Sequence, residues 1–183
     1  MKMAPLPADV LHALQARAAR ASLGPSSMRG AGNRGVVEAG RQFLCGVDLG
    51  PFGTSNPAKF RRALDSSTQE LMVSFPRTAR HWGLARKGLN IFLRECLYTV
   101  YLREAYRLDQ AESYFEVPLD SLSGRALWEG SERCLPRWAT VRGLTPALSD
   151  EFQRVASDLA RKRQIARVHL DALWWGQRTD DGP

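Results

Sequence analysis

Apolar residues recur at spacings of three and four along most of the chain, and no stretch alternates apolar and polar positions in a way that would pair two strands. Val10, Leu11 and Leu14 predict a first helix over residues 8–21, and the Gly-, Ser- and Pro-rich residues 24–34 predict a loop after it. Val36, Val37, Phe43 and Leu44 predict a second helix over 35–45, closed by a second loop over 48–57. Asn56-Pro57 reads as the start of a third helix, because an asparagine side chain can cap and proline is tolerated at the first helical position. That helix runs to about residue 73 and is bounded by Pro76.

The longest periodic segment covers residues 78–108. Its apolar residues, among them Leu84, Leu89, Ile91, Phe92, Leu93, Cys96, Leu97, Val100 and Leu102, span so wide an arc that the helix must be largely surrounded by protein. What stays polar is a narrow stripe of Lys87, Asn90 and Arg94, continued by Tyr98 or Tyr101. Such a stripe is expected to face water, a ligand groove or the phosphates of a nucleic acid. A polar turn follows over 109–113, and Pro118 makes 115–119 an extended connection. Asp120 sits where a helix cap belongs, Thr145-Pro146 opens a helix reaching about residue 162, and a last helix over 165–175 ends at Gly176. The fold class is therefore all-α, with no internal repeat.

Length changes this picture little: 183 residues with 44% hydrophobic content suit one compact domain, 1–183, in which any peripheral part would be the helix and loop of residues 1–34. Charge changes it more. Lys and Arg total 26 against 19 Asp and Glu, a net charge of +7, which favours a polyanionic partner, with DNA foremost, although the same excess could simply solvate the surface. Cys45, Cys96 and Cys134 are too few and too scattered for a disulfide framework or a four-ligand zinc site, so no metal and no cofactor is implied. Residues 1–23 lack the apolar core of a signal peptide, and no apolar run is long enough to cross a membrane, so a soluble cytoplasmic protein without a membrane partner is expected. Trp174 and Trp175 would suit a protein interface as well as a core, but a protein partner is not implied.

The order of three motifs points to chemistry. The run Trp82-Gly83-Leu84-Ala85-Arg86-Lys87-Gly88-Leu89-Asn90 sets a lysine on a mostly apolar helix; Leu119-Asp120-Ser121 opens another helix with Arg125 five residues after the aspartate; and Arg167-Val168-His169-Leu170-Asp171 leads into Leu173-Trp174-Trp175-Gly176. This order resembles the helix-hairpin-helix DNA glycosylases over residues 80–178. The resemblance implies a helix-hairpin-helix-like core and a base-excision or phage-defence enzyme of DNA repair. Lys87 and Asp120 would be its catalytic residues and Arg125 the arginine that follows. The chain departs from the family in having one glycine where Gly-x-Gly is usual ahead of the lysine, Leu122 in place of a histidine, a longer lysine-to-aspartate interval, and no cysteine cluster for an iron–sulfur centre.

The residue types fit that chemistry. Loss of a damaged base leaves an oxocarbenium-like sugar that a carboxylate such as Asp120 can stabilise. A lysine whose pKa is lowered by an apolar wall and neighbouring cations can attack the sugar carbon and form a Schiff base, permitting strand cleavage. Arg77, Arg80, His81, Arg86, Asn90, Arg94 and Arg125 are the expected nucleic-acid contacts, and Trp82, Tyr98, Tyr101 and Trp174 the candidates for a pocket that receives an extruded base. Two other readings stand beside this one. The chain could be a non-enzymatic basic helical module that binds nucleic acid or protein, or a helical RNase using Arg77 and His81. Arg167 and Asp171, four apart, suggest a helical ion pair, and His169 a hydrogen-bonded structural histidine.

Overall fold

Local capping chemistry sets the helix starts. Asn56 Oδ1 accepts from Lys59 N at 2.9 Å and Thr145 Oγ1 from Leu148 N at 3.3 Å, and each cap is followed by proline, so α3 (Pro57–Ser74) and α7 (Pro146–Lys162) begin where the sequence places them. The computed structural model describes residues 5–28, 35–137 and 140–176, which contain helices and loops and no strand. The remaining α-helices are α1 (Ala8–Ser22), α2 (Val36–Gly46), α4 (Trp82–Tyr98), α5 (Val100–Ala105), α6 (Ser121–Gly130) and α8 (Leu170–Gly176). The extended connection over 115–119 is present as expected. Arg178 and the side chain of Trp175 lie outside the described residues.

The single long helix expected over 78–108 is divided. A 3-10 turn at Arg77–Ala79 precedes α4, and Thr99, with φ −82° and ψ 103°, separates α4 from α5. Thr99 donates both its backbone N–H, at 3.0 Å, and its hydroxyl, at 2.8 Å, to the carbonyl of Glu95, which closes α4 at that residue. Periodicity alone does not reveal such a break, because the apolar pattern continues through it. The polar turn over 109–113 is likewise a 3-10 helix, Leu108–Tyr114, and the last helix begins as a 3-10 turn at Arg167–His169 before α8.

Burial divides the interior into two apolar clusters. The first gathers residues from α1 to α5, including Ala19, Leu44, Phe52, Phe60, Leu71, Leu89 and Phe92. The second gathers Val117, Leu119, Leu127, Leu144, Phe152, Ala156 and Leu170, with Trp82, Trp128 and Trp174 packed against it. Helix α4 serves both, since its middle lies in the first cluster and Trp82 at its start reaches the second. Gly83 lets this start approach closely: a Cβ there would collide with the carbonyl oxygen of Val141 and stand 2.6 Å from Leu144 Cβ. No helix among the described residues is long and apolar enough to cross a membrane.

Between the two clusters runs a seam of charged pairs. Arg61 of α3 meets Asp150 of α7 at 2.8 Å, Arg86 meets Glu116 at 2.8 Å, Lys87 faces Asp120, and Arg94 meets Asp171. The Lys87, Asn90 and Arg94 part of the α4 stripe is turned into this seam and not out to water, whereas Tyr98 and Tyr101 are exposed. Apolar residues surround the helix so completely that its cations must find carboxylates inside, and residues 116, 120 and 171 supply them.

Candidate functional site

Lys87 and Asp120, thirty-three positions apart in sequence, come together across the seam. Lys87 Nζ lies 3.9 Å from Asp120 Oδ2, with only 9% of the lysine side chain and 20% of the aspartate side chain exposed. The two carboxylate oxygens have different tasks. Oδ1 accepts from Leu122 N at 2.9 Å and Ser123 N at 3.0 Å, and Ser123 Oγ accepts from Asp120 N at 2.8 Å, completing a capping box at the start of α6. Oδ2 is left to face the amine.

The amine is also engaged on its other side. Lys87 Nζ donates to the carbonyl of Ser27 at 2.7 Å, in the turn that follows α1. Burial lowers the lysine pKa below its ordinary value, and the nearby Asp120 carboxylate opposes this without cancelling it. A buried amine of this kind gives up its proton more readily than a surface lysine, and loss of the proton makes it a nucleophile.

Arg86 and Asn90, expected at a phosphate surface, lie inside. Arg86 is 1% exposed and holds Glu116 in a two-pronged pair, Nε to Oε2 at 2.8 Å and Nη2 to Oε1 at 2.9 Å, while its Nη1 reaches Asp65 and Thr68, each at 2.9 Å. Asn90 Nδ2 donates to the same carboxylate at 3.0 Å. Burial pushes the Glu116 carboxyl up, but the Arg86 charge and hydrogen bonds, together with Arg167 and Asn90, outweigh it and hold the group below its ordinary value. A phosphate could reach Arg86 only by displacing Glu116. Arg94 is tied to Asp171 and to Glu95 at 2.8 Å, and its Nε is buried without a partner.

The other expected contacts are spread out. Arg77 and Arg80 are exposed near the 3-10 turn before α4, where Arg80 Nε donates to Phe75 O at 3.0 Å, and His81 is half-buried beside them. Arg125 is exposed and paired with Glu129 at 2.9 Å. The four aromatic residues expected to form a base pocket do not converge. Trp82, with the Arg86 guanidinium 5.2 Å from its ring centre, and Trp174 pack on the second cluster, whereas Tyr98, the last residue of α4, and Tyr101 in α5 are exposed. Tyr98 lies eleven residues from Lys87, about 16 Å along the helix axis. No protein-family model, no curated protein and no solved structure matches this chain significantly.

Several charged residues of the seam escape sequence reasoning. Arg167 and Asp171 do not pair with each other: Arg167 donates to Phe115 O at 3.0 Å, Tyr114 O at 2.9 Å and Ser157 Oγ at 3.2 Å, and Asp171 takes Arg94. The side chain of Gln153 bonds both the N–H and the carbonyl of Val117, at 3.1 and 2.8 Å. His169 joins Tyr98 at 2.9 Å and Glu112 at 2.6 Å, not its neighbour Asp171. The signal available in the sequence was Glu116 itself, a lone acid inside the apolar run Phe115 to Leu119, which has to meet a cation wherever that run is buried.

Proposed function

We propose that the chain is a DNA glycosylase, with Schiff-base lyase activity, that removes a modified base from DNA through Lys87 and Asp120. The observation that carries this reading is the 3.9 Å approach of Lys87 Nζ to Asp120 Oδ2 at a buried position, with the lysine pKa lowered. Asp120 Oδ2 would face the positive charge that develops on the sugar as the base departs. Lys87, once neutral, would attack C1′ of the sugar as the base leaves; opening of the sugar ring would give the imine, and loss of a C2′ proton from it would expel the 3′ phosphate and cut the strand.

A second reading rests on a specific observation. Lys87 already bonds Ser27 O, and Asp120 already caps α6, so both residues have structural work without any substrate. In that reading the chain is a basic helical module that binds nucleic acid without turnover.

Borohydride trapping separates the two. The protein is incubated with labelled duplexes carrying an abasic site or a panel of modified bases, and covalent protein–DNA bands are compared in wild type, Lys87→Ala and Asp120→Asn. The glycosylase reading expects a wild-type band that Lys87→Ala abolishes and that Asp120→Asn reduces at least a hundredfold on base-containing duplexes. No band and no base release on any duplex leaves the binding module.

A further inference from the structure

A cleft of about 540 Å³ opens beside α6, with neither Lys87 nor Asp120 in its lining: it runs from Ser121 and Arg125 past Trp128 to Arg133 and Arg137, with Phe152 behind. Its most unusual feature is how two of its arginines are held. The guanidinium carbons of Arg137 and Arg133 stand 4.3 and 5.2 Å from the Trp128 ring centre. Neither arginine has a carboxylate partner among the described residues. A guanidinium placed on an aromatic ring is oriented without using its N–H donors, which remain free to meet an anion.

The backbone keeps this arrangement in place. Glu132 and Arg133 have φ values of 55° and 67°, a left-handed pair that non-glycine residues adopt rarely. Arg133 N donates back to Trp128 O at 3.0 Å, and Ser131 Oγ donates to the same carbonyl at 2.8 Å. The chain therefore turns back at the end of α6 and returns Arg133 over the tryptophan from which it has just departed. The acids nearby are Glu129, in an exposed pair with Arg125, and the exposed Glu132, so the lining carries more positive than negative charge.

We infer that this cleft binds a strand of single-stranded nucleic acid, with the free N–H groups of Arg133 and Arg137 on its phosphates and a base against the guanidinium planes that Trp128 holds in place. The volume is that of a site for one nucleotide-sized group, not of a face for a double helix, and guanidinium planes backed by an aromatic ring are surfaces on which unpaired bases stack. Trp128 lies eight residues after Asp120, about 12 Å along α6, so a strand bound here passes near the start of that helix. The inference stands on the cleft alone and does not require Lys87 to be a nucleophile.

The test is fluorescence anisotropy with a labelled oligothymidylate, comparing wild type with Arg133→Gln/Arg137→Gln and with Trp128→Leu, each checked for an unchanged melting temperature. Wild type should bind, the double variant at least tenfold more weakly, and the slope of log K against log salt should fall by about 1.4 in the double variant, two phosphate contacts at roughly 0.7 each. A single Arg137→Lys variant, which keeps the charge but loses the planar fork, should still weaken binding. The inference is overturned if wild type does not bind, if the double variant binds with the same affinity and salt slope, or if polyglutamate displaces the oligonucleotide at equal charge concentration, which would assign the cleft to acidic protein segments. Borohydride trapping retained in the double variant while oligonucleotide binding is unaffected rejects the cleft alone; binding lost in that variant with no trapping in wild type rejects the glycosylase alone.

Discussion

At the scale of single residues, Glu116 and Arg86 set the strongest expectation. Both side chains are 2% exposed, so neither charge can be hydrated if the other is removed. Glu116→Gln should therefore destabilise the fold by about 3–5 kcal/mol, read as a fall in melting temperature, because it strands the Arg86 guanidinium. The double change Arg86→Met/Glu116→Leu removes both charges and should cost less than either single one; a double variant as unstable as the sum of the singles would show that the pair is not coupled. The same carboxylate gives a pH dependence. Its folded pKa lies below the ordinary 4.5, so between the two values the unfolded chain binds the extra proton. Stability from this group is fully present above pH 4.5 and is lost as the pH falls below it. Thermal melts from pH 6 downward should show this loss in wild type, and the slope should be smaller in Glu116→Gln.

At the scale of elements, Asp120 can be separated into a cap and a charge. Asp120→Ala removes the acceptor of two N–H groups at the start of α6 and should cost about 1 kcal/mol in chemical denaturation. Asp120→Asn keeps an acceptor oxygen and should cost only a few tenths of that, while it removes the negative charge facing Lys87 and so lowers the lysine pKa further. Equal destabilisation by the two changes would mean that the charge, not the cap, holds α6. Caps are why so many boundaries were legible in the sequence: Asn56, Asp120 and Thr145 act on N–H groups two or three residues away, and such chemistry is local. The break at Thr99 was not legible, because the apolar spacing continues from α4 into α5. Nor was the direction of the α4 stripe. Arg86 and Asn90 read alike whether they face water or Glu116, and the partners that decide it lie 30 and 26 residues away. Lys87 and Asp120 stand out in the sequence by residue type and by the resemblance in motif order, and only the tertiary fold brings residues thirty-three positions apart within 3.9 Å.

At the scale of the whole molecule, the seam governs how the protein opens. Two apolar clusters joined through ion pairs are held together differently from one continuous core. Pulling apolar faces apart exposes them to water at full cost, whereas charged groups regain hydration when separated, so the net cost of parting the seam is smaller than that of parting either cluster. Local opening should therefore begin with the elements of the second cluster, α6 to α8, moving as a unit away from α3 and α4. Helix α4 opposes this through Trp82, which is packed on the second cluster, and through the two-pronged Arg86–Glu116 pair, both of whose hydrogen bonds must break before water reaches either charge. Native-state hydrogen exchange tests the balance: amides in the middle of α7 should exchange through an opening of lower free energy than those of Leu89 to Leu93 in α4, and Glu116→Gln should lower the α7 value more than the α4 value. Uniform protection of both helices would mean that the seam opens only with global unfolding. The result bears directly on the candidate site, because Lys87 is enclosed by Ser27 and Asp120 when the seam is shut, and a sugar carbon can reach its amine only from an opened state. An opening free energy in α7 well below the global value would give that state a population from which trapping by borohydride can proceed.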